Sequence, residues 1–437
     1  MPLMFSISGL RGIVGKDLFP DTVQHYAAAF GDFLGGGSIV IGRDARPSGP
    51  LFRNAVVRGL HSVGCRVIDC GIVPTPTVLF MVRKLRVRGG IAITASHNPQ
   101  QWNALKFVGR GGLFLDVREQ RAFAARLRKG KIRHRRRAGQ YEQYTTAVDD
   151  HIDTIIKKVH LNVRYAVGVD AVDGAGSIAL PRLLEKMGCT VTRIHCRFNP
   201  VFPREPEPTP EHIHDLCRLV QKKKLAIGFA CDPDCDRLSI VDERGIPLGE
   251  ERSLVLATDY VLTKKRGAVV TNLSTTALME HITQTYGCTL YRTHVGEANV
   301  VSQMRKVDAV IGGEGNGGVI YPRVNFTRDA LVGAALTLGL MQQRNAELSA
   351  LVDAYPQWYM IKKKVRVPRE RFERQKGRII RSLRGRVNLK DGVRVNGRNW
   401  WVHIRPSQTE PLIRIIGEAQ SRAQLTALIR TVRGLLS

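Results

Sequence analysis

Three carboxylates stand at alternate positions in the run Cys231 to Arg237, CDPDCDR: Asp232, Asp234 and Asp236. Acids this close repel one another unless a cation lies between them, and oxygen-only donors suit a hard divalent ion such as magnesium. Cys235 in the same run is too soft to be counted among such donors. A second reactive group lies far upstream, in Gly89 to Lys106, GGIAITASHNPQQWNALK. A serine held at the end of a buried strand can present its hydroxyl to a cleft, which makes Ser96 a candidate nucleophile. His97 and Lys106 can supply positive charge or move a proton nearby. Two further stretches suit anions and hydroxyls. The turn Arg405 to Pro411, RPSQTEP, offers a guanidinium, the hydroxyls of Ser407 and Thr409, and backbone N–H groups, a cradle for phosphate. The glycines of Ile311 to Pro322, IGGEGNGGVIYP, let Glu314 and Asn316 approach a ligand closely. In SISGLRG, a tight turn lets Arg11 project at a phosphate. Taken singly, each stretch also fits a plainer role: a polar loop, an acidic turn, a tight loop or a surface arginine.

The elements that must position these groups alternate between strand and helix. Helical spacing marks Asp21 to Leu34, with helices also expected over Leu51 to Val63, Thr145 to Val159, Ile178 to Met187, Ser253 to Thr263 and Ala423 to Leu436. Short apolar strands are expected at Ser38 to Ile41, Arg66 to Ile68, Ile91 to Ile93, Tyr165 to Val169, Leu225 to Phe229, Gly267 to Thr271, Lys364 to Val367, Trp400 to Ile404 and Leu412 to Gly417. That alternation argues for an α/β fold, with helices layered on the faces of sheets. Arg328 and Asp329 open an alanine-rich stretch expected to be a core helix, and Arg369 to Leu383 reads as a basic helix. Residues 199–210, with five prolines, are expected to be a surface loop.

The chain has 437 residues, 43% hydrophobic, enough for several domains. No apolar run approaches transmembrane length, and MPLMFSISGLRG lacks the basic flank and long apolar stretch of an export signal. Eight scattered cysteines form no CxxC pair, which argues against a zinc ribbon or a disulfide framework and for a reducing cytoplasm. Net charge is +29, concentrated in residues 126–137, with eight basic residues and no acid, and in residues 362–386, with twelve against Glu370 and Glu373. Such runs can bind nucleic acid. No recognition motif or interleaved aromatic platform accompanies them, so a solvated basic face is the expected reading.

TASHNP followed by WNALK resembles the active-site loop of the α-D-phosphohexomutases, the phosphoglucomutase, phosphomannomutase and phosphoglucosamine mutase superfamily. Three more motifs in the family's order spread the likeness over nearly the whole chain. The resemblance implies three similar α/β/α domains with mixed sheets and a smaller C-terminal α+β domain around a central cleft. The expected domains are residues 1–144, 145–246, 247–360 and 361–437. It implies that Ser96 carries a phosphoryl group. Asp232, Asp234 and Asp236, which match DGDxDR, would hold one Mg²⁺ with the Ser96 phosphate completing its shell. Arg11 would face the active site, Lys106 act as general acid or base, His97 position the loop and Arg237 bind phosphate. In RTHVGE, His294 would lie near the sugar; Glu314 and Asn316 would read its hydroxyls. Arg405, Ser407, Gln408 and Thr409 would take the phosphate that is not transferred. Pro233 departs from the usual glycine, and the metal loop must differ slightly if the family geometry needs φ > 0 there. Gly318 stands where many bacterial relatives have the histidine of GEMSGH or GEQSGH, so that residue's proton-transfer role has no bearer here. The implied activity is interconversion of glucosamine 6-phosphate and 1-phosphate through a sugar bisphosphate, which also serves as activator. Mannose or glucose phosphates are the nearest alternative, and a nucleic-acid-binding protein on a mutase fold or a phosphatase more distant ones. A cytoplasmic monomer or homodimer, with a phosphosugar partner and no membrane, completes the expectation.

Overall fold

A computed structural model describes residues 3–6, 9–136, 139–199, 201–407 and 412–436. The chain forms two compact units, Met1–Tyr260 with Asn316–Ser349, and Val261–Gly315 with Ala350–Ser437.

The first unit is built on two mixed sheets. In spatial order the first sheet runs Met4–Ser6, Gly9–Ile13, Trp102–Gly109, Gly89–Ile93, Ser38–Arg43, Arg66–Ile72 and Tyr141–Gln143, with Leu113–Phe114 also pairing to Trp102–Gly109. Ser38–Arg43 is parallel to both Arg66–Ile72 and Gly89–Ile93, and helices carry the crossovers that parallel pairing demands. Trp102–Gly109 returns antiparallel to Gly89–Ile93, placing Ala92 opposite Lys106. The Ser96 loop is therefore a connection between two buried strands, fixed at both ends. Arg11 lies in the strand Gly9–Ile13, opposite Ala104, and not in the tight turn expected from SISGLRG.

Helices cover both faces of this sheet. Pro20–Phe33 and Gly49–Ser62 pack on one, over a core that includes Phe30, Phe52, Phe107 and Phe123. Thr75–Lys84 packs on the other, its Val78, Leu79 and Val82 against Val40, Ala92 and Val108. Val117–Arg128 begins in a reciprocal capping box between Asp116 and Glu119. The start of the 126–137 basic run thus ends a regular helix, and Arg128 to Arg136 are exposed apart from Ile132. The second sheet runs Thr190–Ile194, Ala166–Asp170, Ile227–Cys231 and Leu238–Asp242, the first three parallel and the last antiparallel. The three aspartates occupy the turn between its last two strands. Ala330–Arg344 is buried at every position from Ala330 to Met341, as an interior helix that is apolar all round must be.

In the second unit, Val269–Asn272 lies between the parallel strands Leu290–Thr293 and Ile311–Glu314. A five-stranded antiparallel sheet follows, ordered Tyr359–Val365, Ile413–Ala419, Trp400–Pro406, Val393–Asn396 and Arg386–Asn388. Arg369–Leu383 and Arg422–Leu436 cover it with Phe372, Ile379, Leu425, Ile429 and Val432. Among the described residues, no helix is long and apolar enough to cross a membrane.

Gly59 shows how closely the first two helices approach. A Cβ there would lie 2.3 Å from the Gln24 carbonyl oxygen and 3.0 Å from Ala27 Cβ. Gly59→Ala is expected to destabilise this helix pair by about 1–3 kcal/mol, read as faster amide exchange in Pro20–Phe33 and Gly49–Ser62.

Candidate active site

Ser96 sits in the left-handed region at φ +50°, a conformation a non-glycine residue holds only when its surroundings impose it. The surroundings are a network of buried polar groups. Thr94 Oγ1 accepts the Ser96 N–H at 2.9 Å and donates to Asp44 Oδ2 at 2.6 Å. Arg46, fully buried, donates through Nε to Asp44 Oδ2 at 3.0 Å. Its Nη1 donates to the carbonyls of Pro99 and Trp102, and its Nη2 to those of Ser96 and Asn98, at 2.6–3.0 Å. Both terminal nitrogens of the guanidinium are thereby used on one loop, and Nε on Asp44. Arg11 Nη1 donates to Asn98 Oδ1 at 2.6 Å, which brings a second arginine to the same turn.

The Ser96 hydroxyl donates to Asp232 Oδ2 at 2.8 Å. Ligand atoms of Asp232, Asp234 and Asp236 all lie within 4.8 Å of one another, and the three side chains are buried. Asp232 is bonded through both oxygens, Asp234 and Asp236 through one each. Asp232 Oδ1 accepts the N–H groups of Asp236 and Arg237. Asp234 Oδ2 accepts from Lys106 Nζ and from Thr75 Oγ1, both at 2.6 Å. Asp236 Oδ2 accepts from Arg328 Nη2 at 2.6 Å. Asp234 Oδ1 and Asp236 Oδ1 are buried with no hydrogen-bond partner. Two unpartnered buried carboxylate oxygens, with Asp232 Oδ2 beside them, fit a hard divalent cation. Burial, then the charges of Asp234 and Asp236, push Asp232 well above the usual carboxylate range. Burial acts on Asp234 in the same sense, but the Lys106 ammonium outweighs it and leaves that group below the range. Pro233 does not take a positive φ; Cys235 does, at +56°.

His97 is half-buried, and desolvation together with the cations of Arg237 and Arg11 lowers its pKa well below the ordinary value. Its imidazole is neutral and Nδ1 has no hydrogen-bond partner. Arg237 Nη1 is held by Glu207 at 2.7 Å, while its buried Nε has no hydrogen-bond partner and can donate to an anion. Asn316 Oδ1 is likewise buried and unpartnered, and the neighbouring Gly317 is pinned by a backbone hydrogen bond from Leu238.

In the second unit, Glu314 is buried and its Oε1 accepts from Asn272 Nδ2 and from the Gly296 N–H, both at 2.9 Å. His294 is exposed. Asp391 ties a loop to a strand of this unit: Oδ2 accepts the Val295 N–H at 2.8 Å, and Oδ1 accepts Nε of Arg405, in Trp400–Pro406, at 3.3 Å. Ser407 is set by its N–H bonding the Leu412 carbonyl at 2.8 Å. Gln408 and Thr409 lie outside the described residues.

The first unit thus gathers Arg11, Ser96, His97, Lys106, Asp232, Asp234, Asp236 and Arg237 around one hydroxyl. Asp44, Arg46, Thr75, Glu207, Arg328 and Asp391 were not foreseen. One signal for the first two was available: GRDARPSGP puts charges directly after the apolar strand Ser38–Arg43, at the end of a parallel strand where ligand sites gather.

Family models for phosphoglucomutase/phosphomannomutase match four stretches of the chain. The alpha/beta/alpha domains I, II and III match residues 2–133, 142–245 and 250–359, and the C-terminal domain matches residues 363–435. The chain is 33% identical over 440 residues to a protein of Methanopyrus kandleri named "Probable phosphoglucosamine mutase", covering 97% of this chain and 95% of that one. It is 32% identical to a "Phosphoglucomutase/phosphomannomutase" of Thermococcus kodakarensis, covering 96% and 95%. Among solved structures, a phosphoglucomutase/phosphomannomutase family protein from Burkholderia thailandensis superposes with a TM-score of 0.87 at 27% identity, covering 99% of this chain and 98% of that one.

Two expectations follow from the geometry. Arg46→Met strands Asp44 and several loop carbonyls, and should loosen the Ser96 loop by about 3–5 kcal/mol, seen as faster amide exchange across residues 94–102. In the second unit, His403 is buried between Ser274 Oγ and the Asp391 carbonyl, and burial lowers its pKa to about 4. Its unfolded value is about 6.5, so its contribution to stability is complete above that pH and is lost as pH falls toward 4, reaching about 2 kcal/mol by pH 5. The drop in melting temperature between pH 7 and pH 5 should be smaller in His403→Gln than in the parent.

Proposed function

The chain belongs to the phosphoglucomutase/phosphomannomutase family, and from that premise we propose that it interconverts glucosamine 6-phosphate and glucosamine 1-phosphate through a phosphorylated Ser96. The observation that carries this reading is the Ser96 hydroxyl bonded to Asp232 beside an all-oxygen triplet with two unpartnered atoms. Asp232, Asp234, Asp236 and an oxygen of phospho-Ser96 would hold one Mg²⁺. When bound, the ion neutralises charge on the phosphoryl group in transfer.

In the first half-reaction the P–Oγ bond of phospho-Ser96 breaks and a bond forms from phosphorus to O1 of glucosamine 6-phosphate. The O1 proton leaves and Oγ gains one, so serine is restored and the sugar becomes a 1,6-bisphosphate. The bisphosphate turns over and returns its 6-phosphoryl group to Ser96 by the same exchange, releasing glucosamine 1-phosphate. The same bisphosphate charges a resting enzyme. Lys106 moves the proton, and neutral His97 orients the turn. Arg11 and Arg237 hold phosphoryl oxygens. Glu314, Asn316 and His294 take the sugar's hydroxyls. Arg405, Ser407, Gln408 and Thr409 take the phosphate that stays. Transfer of this kind needs positioning and charge neutralisation more than covalent chemistry, and the clustered cations of the first unit support it.

The name of the Methanopyrus relative supports glucosamine phosphate; that of the Thermococcus relative supports glucose and mannose phosphates as the second reading. Eight free cysteines support a reducing, cytoplasmic setting. Assembly is proposed as a monomer or homodimer, and the basic runs as solvated surface.

Incubation with glucose 1,6-bisphosphate should add one phosphoryl group at Ser96 by peptide mass spectrometry. Ser96→Ala should lose the modification and about a thousandfold or more in kcat. The sugar assignment is rejected if kcat/KM is much higher for mannose or glucose 1-phosphate than for glucosamine 1-phosphate. Release of inorganic phosphate in place of sugar isomerisation would mark a phosphatase.

A further inference from the structure

Gly318 has an ordinary backbone conformation, so its lack of a side chain is not demanded by φ. It is demanded by space. A Cβ at 318 would lie 2.2 Å from Arg328 Cδ and 2.7 Å from Arg328 Cγ, the middle of that side chain and not its mobile end. The guanidinium beyond is tethered, with Nη2 2.6 Å from Asp236 Oδ2 and the pair almost wholly buried. We propose that Gly318 and Arg328 form one functional unit, in which the glycine opens the slot that lets Arg328 reach and orient Asp236 for the cation. Arg328 is a positioning residue, and the proposal rests on the metal-triplet part of the reading above.

The hydrogen bonds of the triplet explain what the positioning does. Lys106 takes Oδ2 of Asp234, and Arg328 takes Oδ2 of Asp236. In both groups the opposite oxygen, Oδ1, has no hydrogen-bond partner. Two cations therefore turn two carboxylates so that one oxygen of each faces away from them, with Arg237 Nε 3.8 Å from Asp236 Oδ1 and beyond hydrogen-bond distance. Without Arg328, Lys106 Nζ, 3.8 Å from Asp236 Oδ2, is too distant to fix that group while also bonded to Asp234.

Arg328 has no slack with which to yield to a larger residue at 318. The Asp329 N–H bonds the Val319 carbonyl at 2.9 Å, and the Ala330 N–H bonds the Cys235 carbonyl, inside the acidic turn, at 3.2 Å. The Asp329 carboxylate caps Ala330–Arg344 through the Leu331 and Val332 N–H groups. Its other oxygen lies 3.0 Å from Nε2 of the fully buried His151. His151 Nδ1 meets Thr77 Oγ1 at 3.0 Å, and its ring stacks on Phe80. The backbone carrying Arg328 is thus clamped to the 318–319 segment, to the metal loop and to the helix Thr75–Lys84. The charge also reaches the Ser96 turn, since Arg328 is one of the cations that depress His97.

The test is a double-mutant cycle on the full-length, unphosphorylated protein, read as Mn²⁺ affinity by calorimetric titration, with kcat and KM measured alongside. Arg328→Gln should weaken Mn²⁺ binding about 10–100-fold, as loss of an orienting partner does. Gly318→Ala should produce a loss of similar order, because the added methyl displaces the arginine stem. The double variant should bind no more weakly than Arg328→Gln alone, a coupling that independent sites do not show. Arg328→Lys, which keeps charge without the planar fork, should recover part of the affinity. Wild-type Mn²⁺ affinity in Gly318→Ala, or losses that simply add in the double variant, overturns the proposal. If Arg328→Gln fails to fold, Gly318→Ala against the parent decides alone. Mn²⁺ results as expected in a protein that isomerises no sugar phosphate would reject the mutase reading and leave this one standing.

Discussion

Three carboxylates buried within 4.8 Å of one another are the constraint that the first unit is built to meet. At an effective dielectric of about 20, two unit charges 4 Å apart interact by about 4 kcal/mol, so three uncompensated acids would oppose folding outright. Compensation comes from segments far apart in the chain. Lys106 arrives on the strand that returns from the Ser96 loop, Arg328 from the start of an interior helix, and Thr75 from the first turn of Thr75–Lys84. Asp232 receives no such cation at hydrogen-bond distance; it holds two backbone N–H groups and the Ser96 hydroxyl. Burial, then the neighbouring acids, raise the pKa of Asp232, while the Lys106 ammonium holds Asp234 below the usual range.

A separate network holds the nucleophile. Ser96 in the left-handed region carries a cost of about 1–3 kcal/mol. That cost is offset by Arg46, whose donors all end on Asp44 or on the loop's carbonyls, and by Thr94, which fixes the Ser96 N–H. None of those bonds uses a carboxylate of the triplet. The position of the hydroxyl is consequently set from one side of the loop, and its electrostatic environment from the other.

What the sequence disclosed and what it hid divide along the range of the interactions. Ser96, the three aspartates, Glu314 and Arg405 sit in compact motifs, so type and spacing single them out as candidates. Their partners do not: Arg328 lies 92 residues from Asp236, and Arg46 lies 50 from Ser96. No local pattern reports a contact of that span. Most helices and strands announced themselves by periodicity, and Arg369–Leu383 appears at the expected bounds. The strand Trp102–Gly109 went unread because Asn103 and Lys106 interrupt its apolar pattern, although both are buried in polar contacts. Thr75–Lys84 opens with Pro76 in its first turn, where proline is tolerated in a helix.

The same distinction separates the chain's large positive charge from the cations of the site. Lys106, Arg237 and Arg328 of the first unit are buried, and each has a carboxylate within contact distance. Contacts of this kind are fixed and poorly screened by salt. Arg128, Lys129, Lys131, Arg133, Arg135 and Arg136 are exposed. At physiological salt their field decays within about 8 Å, so it can raise the rate at which an anionic sugar phosphate arrives but cannot orient it. Removing surface charge should therefore alter encounter and its salt dependence, while the geometry around Ser96 is decided by a handful of buried ion pairs. A net charge of +29 says little about catalysis in this protein; the placement of a few arginines and one lysine against acids says most of it.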